Sequence, residues 1–168
     1  MSTILRIKGA AALLLVGSLA LPQSTCSGYR GPDGKFVPEL PRDSTRSAYQ
    51  PAVERHYALD DVRLDDPGTW FNIALFFWPL AAVASMARAR SGRLRTFLAV
   101  VEPILAVCSA YVIWSIATLF ATPAAGAYVA IGALAVYFAA CAVEVWRAVR
   151  SRRVAVEDAA VQRTPWPK

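Results

Sequence analysis

The chain has 168 residues, 56% of them hydrophobic and only 18% charged, with a mean hydropathy of +0.38. That balance excludes an ordinary soluble domain and describes a small integral membrane protein with no room for a second domain of usual size. The formal net charge of +6 gathers in arginines beside apolar blocks, and no basic patch is interleaved with stacking aromatics, which argues for membrane topology and against nucleic acid.

Residues 1–26 read as a signal peptide. Arg6 and Lys8, with no acid nearby, lead into an apolar run over residues 9–21 that Pro22 closes. The run has the length of a signal-peptide core, about 7–15 residues, and falls short of the ~20 that span a bilayer. The short basic start, the compact run and Cys26 followed by Ser27 and Gly28 together resemble a bacterial lipoprotein signal. That resemblance implies a lipid on Cys26, although Gln23 and Thr25 depart from the usual aliphatic and small residues. Ordinary cleavage after Ser18-Leu19-Ala20 and retention as an extra helix are the alternatives.

Residues 27–69 form an exported Pro/Gly-rich arm. Between Ser27 and Gly68 six bases mix with eight acids and few large apolar side chains, so an extended, mostly irregular segment is expected. A short helix over residues 52–59 would place Val53 and Tyr57 one turn apart, but it would be marginal alone. LDD occurs twice within residues 59–66, which reads as a solvated acidic turn, since the glycine and closing glutamate of a calcium loop are absent.

Three membrane helices follow, over residues 70–87, 96–121 and 125–146. Trp70 and Phe71 look like an interfacial anchor, and Pro79 should bend the first helix. A short outer turn over 122–124 makes the second and third helices an antiparallel hairpin. Gly126 with Ala130, and Ala135 with Ala139, give the small-residue spacing that lets helices approach closely in lipid.

Arg88, Arg90, Arg93 and Arg95 fill the 88–95 loop, while Arg147, Arg150, Arg152 and Arg153 open the 147–168 tail. Two spans separate these groups, so they share a side, and the positive-inside rule makes that side cytoplasmic. The arm is then outside, and the expected location is a bacterial inner membrane.

Glu102 is the most informative single residue, because an acid well inside an apolar helix marks a functional site unless it is paired. Arg95, two turns earlier, is the obvious partner, as Arg147 is for Glu144. Ser109 lies two turns from Glu102 and Tyr137 two turns from Glu144, so facing helices would assemble a polar track. Cys108 and Cys141 fall at different depths and read as small apolar side chains. His56 is the single histidine, and no CxxC, HExxH, GxSxG or GxxxxGK occurs, which disfavours hydrolytic triads, zinc and haem and gives no reason to expect a metal or cofactor.

The expected fold is therefore an all-α three-helix membrane bundle behind a signal-like segment and an exported arm. The expected role is that of a non-catalytic accessory subunit in the lipid bilayer, bound to a larger membrane partner or to copies of itself. An oligomeric transporter or proton pathway through Glu102 and Glu144 is the alternative.

Overall fold

A computed structural model describes residues 2–39, 48–58, 65–89, 92–119 and 122–163, of which 152–163 are described by backbone alone. The elements in order are α1 (Thr3–Gly17), a 3-10 turn (Ser18–Ala20), β1 (Pro22–Arg30), β2 (Phe36–Val37), β3 (Gln50–Tyr57), α2 (Pro67–Arg88), α3 (Gly92–Leu119), β4 (Thr122–Pro123) and α4 (Ala125–Arg163). Among the described residues four helices are long and apolar enough to cross a membrane, not the three expected. The additional one is the signal-like segment, whose 3-10 turn extends it to 18 residues, Thr3–Ala20. Ser18 Oγ donates to the Leu15 carbonyl at 2.6 Å there, giving a partner to one of the last-turn acceptors that a helix leaves open.

Local chemistry also moves the other boundaries. α2 starts at Pro67 because Asp66 caps it: its carboxylate accepts from the Gly68 N–H at 3.0 Å, and a first-turn proline needs no N–H partner. α3 begins at Gly92, so Arg93 and Arg95 stand on its first turn and not in a loop, and α4 continues the expected 147–168 tail as helix to Arg163. Arg90 and the first LDD repeat lie outside the described residues.

Among its described residues the arm is not irregular throughout: it carries β2, β3 and the end of β1, most of a small four-stranded antiparallel sheet. β1 is central: β3 runs along one edge, with Cys26 opposite Glu54, while β2 pairs at Tyr29 and Arg30 and β4 pairs at Ser24 and Thr25. The β1–β2 turn closes through the Gly31 N–H to the Lys35 carbonyl at 3.0 Å, and Gly34 takes the left-handed φ of 79° that the tight turn demands. Residues 52–57, for which the sequence offers only a marginal short helix as a regular element, are strand. Backbone pairing with β1 supplies what one isolated helical turn cannot.

The sheet joins the end of α1 to the start of α2, and its strand β4 joins α3 to α4. The four helices must therefore alternate in direction. α4 packs on both α1 and α3, and α1 also packs on α2. Their shared core includes Leu15, Leu75, Phe76, Ile113, Leu134 and Tyr137, while Leu13, Phe97, Tyr111 and Trp146 project outwards. Gly126 and Ala130 of α4 are both buried, whereas Ala135 and Ala139 are exposed. A Cβ on Gly126 would come within 2.8 Å of the Leu21 and Pro22 carbonyl oxygens, so the strand can lie against the helix only because that position is glycine.

Candidate functional site: a buried lysine between two glutamates

Lys8 is wholly buried, although it lies in the part of the chain that reads as the basic start of a signal. α1 carries it about 8 Å from the helix start, where Gly9, Ala11 and Ala12 keep the surrounding surface low. Its ammonium donates to Glu102 Oε2 at 2.7 Å and to Glu144 Oε2 at 2.6 Å, and it approaches Met86 Sδ at 3.9 Å. One cation from α1 thus ties together α3 and α4 and touches α2. Glu102 is 1% exposed and Glu144 39%, so the two carboxylates differ: one is sealed in the bundle and the other faces outward.

Neither local pairing expected from sequence forms. Lys8 takes the place of Arg95 at Glu102 and of Arg147 at Glu144. A helix-surface arginine reaches along its own helix, whereas Lys8 reaches across the interior and meets both acids with one ammonium. Cys141 is likewise not a plain apolar filler, for its thiol donates to Glu102 Oε2 at 3.4 Å. Cys26, Cys108 and Cys141 form no disulfide.

Deeper in the bundle Tyr137 is 1% exposed, with Lys8 Nζ 5.7 Å from its ring centroid. Trp78 meets Tyr137 edge-on at 5.5 Å, and its indole N–H donates to Ser109 Oγ at 2.9 Å. Glu102, Tyr137 and Glu144 therefore gather around Lys8, and Ser109 joins them through Trp78. Glu102 Oε1 and Tyr137 Oη are buried with no hydrogen-bond partner among the described residues. Beyond Ser109 towards the sheet, the interior is Phe76, Leu75 and Ile113. A smaller pocket of about 170 Å³ at the sheet end is lined by Gln23, His56 and Asn72 among others.

At the opposite end a cavity of about 570 Å³ is bounded by Ser2, Leu5, Met86, Ala87, Arg95 and Glu144. Arg88, Arg93, Arg95, Arg147 and Arg150 all belong to this end of the bundle, and the Arg150 guanidinium sits 5.4 Å above the Trp146 ring. Arg152 and Arg153 continue α4, their side chains outside the description.

The two residues that break the lipoprotein pattern have structural partners. Gln23 Nε2 donates to the Ser18 carbonyl at 2.7 Å, while the Gln23 backbone carbonyl accepts from the Ala124 N–H at 2.9 Å. Thr25 and Thr122 share a hydroxyl contact of 2.8 Å, and Thr122 also donates to the Thr25 carbonyl at 3.0 Å. Cys26 is the next residue of the same central strand.

Sequence reasoning missed Lys8 and Trp78. A signal for Lys8 existed: two acids within apolar helices call for a cation, and Lys8 is flanked by Ile7 and Gly9 inside an apolar helix. Among the described residues no group of three or more His, Cys, Asp or Glu could hold a metal ion. No protein-family model, curated protein or solved structure matches the chain.

Proposed function

We propose that the chain is a four-span membrane protein acting by contact, as a non-catalytic accessory subunit. Its arginine-rich end lies in the cytoplasm, following the positive-inside rule, and its sheet lies outside. The four long apolar helices are consistent with a multi-pass membrane protein. The observation that carries the reading is the Lys8 clamp, because α1 leads into β1 and β4 joins α3 to α4. Locking them from within holds the outer sheet at a fixed orientation, as a protein that presents a surface to a partner requires.

This reading makes α1 a lasting part of the molecule. Removing residues 1–20 or 1–25 would strip both glutamates of Lys8 and detach β1 from the bundle. Mass determination of the mature protein tests it directly: an intact N-terminal segment is expected, and a start at Leu21 or a diacylglycerol-modified Cys26 would overturn it. In-membrane cross-linking followed by native-gel migration tests the subunit role, and a monodisperse monomer with no co-purifying protein counts against it.

A second reading, an oligomeric proton or ion pathway through Glu102 and Glu144, draws support from the buried, unpartnered Glu102 Oε1 and Tyr137 Oη. Within one protomer the apolar layer of Leu75, Phe76 and Ile113 opposes it. Glu102→Gln should abolish flux in vesicles while leaving assembly intact if this pathway operates, and unchanged flux would remove it.

A further inference from the structure

The cavity at the arginine-rich end does not stop at Glu144. It shares Arg95 and Glu144 with a second hollow of about 260 Å³ between α3 and α4, walled by Ala99, Val100, Val145 and Val149. The two hollows differ in chemistry. The first offers a guanidinium, a serine and a carboxylate, and the second is an apolar furrow whose Val100, Val145 and Val149 are 58%, 38% and 47% exposed on the outer face of the bundle. A chamber of roughly ligand-pocket size, about 300–1,000 Å³, that sets these polar groups beside Leu5, Met86 and Ala87 and opens onto an apolar furrow matches an amphiphile with its head in the chamber and a chain along the helices.

The charges narrow the head. Arg95 supplies planar N–H donors suited to a phosphate, and Glu144 has one carboxylate oxygen on Lys8, leaving the other for a second donor. Pro103 has no N–H to offer the Ala99 carbonyl, which adds an acceptor on the furrow wall. A phosphate beside a primary ammonium satisfies both ends of this arrangement. An anionic head would meet Glu144 unfavourably, and a quaternary ammonium could not donate a hydrogen bond to it.

We propose that Arg95, Glu144 and the α3–α4 furrow form a binding site for a zwitterionic aminophospholipid of the phosphatidylethanolamine type. Basic sites between helices at a membrane surface are suited to lipid headgroups. The inference rests on the membrane reading above, and the first step of its test separates the two: after a carbonate wash the full chain should stay in the membrane pellet, and its release into the aqueous phase would overturn both.

Native mass spectrometry of the purified full chain, titrated with phosphatidylethanolamine, phosphatidylcholine and phosphatidylglycerol of the same acyl chains, then reads the site. Phosphatidylethanolamine should bind about tenfold more tightly than either, the factor that one charge-assisted hydrogen bond confers. Arg95→Gln should lose that binding. Glu144→Gln should bring phosphatidylethanolamine and phosphatidylcholine level. Ala148→Trp, which fills the furrow without touching the Lys8 contacts, should exclude all three lipids. Equal affinities in the wild type, a preference for phosphatidylglycerol, binding that survives Ala148→Trp, or a lipid-free dimer that seats a second copy in the furrow would each overturn the proposal.

Discussion

The two ends of the bundle are held together by opposite means. At the arginine-rich end one wholly buried ammonium bridges two carboxylates, one sealed in the bundle and one facing outward. At the sheet end the joints are backbone ladders, the Thr25–Thr122 pair and a glycine contact, each modest and partly exposed. The first concentrates stability in a single side chain whose loss leaves charges without compensation. The second distributes it over many neutral contacts, so that no one of them is decisive. Under the proposed function, the charged end locks the helices and the sheet end presents a surface.

The sharpest way to break the contrast is at Lys8. Lys8→Met should destabilise the bundle by about 3–5 kcal/mol, the consequence of leaving a buried charge without its partner. Thermal unfolding in detergent would measure it. The triple variant Lys8→Met, Glu102→Leu, Glu144→Leu should recover most of the loss, because an apolar replacement of a buried ion cluster is commonly neutral or stabilising. If the triple variant is no better than Lys8→Met, the cluster does more than balance charge.

At the sheet end Gly126→Val should cost about 1–3 kcal/mol by overpacking against the Leu21 and Pro22 carbonyls. Its signature should differ from that of Lys8→Met, with proteolysis between β3 and α2 rising while the helical core stays protected. Trp78→Phe keeps the edge contact with Tyr137 but removes the donor to Ser109, for about 0.5–1.5 kcal/mol, and should shift the unfolding midpoint only slightly. Smallest of all, Thr122→Val should lower stability by less than about 1.5 kcal/mol, since its hydroxyl contacts are exposed and water replaces them. A larger effect from Thr122→Val than from Lys8→Met would reverse the division between the two ends.

Some features were legible because they are local. The apolar blocks that became α2, α3 and α4 depend on composition alone, and the anomaly of Glu102 needs no knowledge of its neighbours. The strand identity of residues 50–57 was not legible, since nothing within QPAVERHY distinguishes a marginal helix from a strand until β1 lies beside it. Gln23 and Thr25 appeared only as defects in a signal pattern, because their partners, Ser18, Ala124 and Thr122, come from the helix before them and the distant α3–α4 turn.

By itself the sequence determined that the chain is apolar in blocks, that arginines flag one end of those blocks and that two acids, Glu102 and Glu144, lie within those blocks. These are properties of residue type and spacing, which burial does not alter. Only the tertiary structure decided which cation meets the acids. Helical spacing ranks partners on the same helix, but a low-dielectric interior favours whichever charge packing brings within hydrogen-bond reach, and the close fit of α1 against α4 brings Lys8.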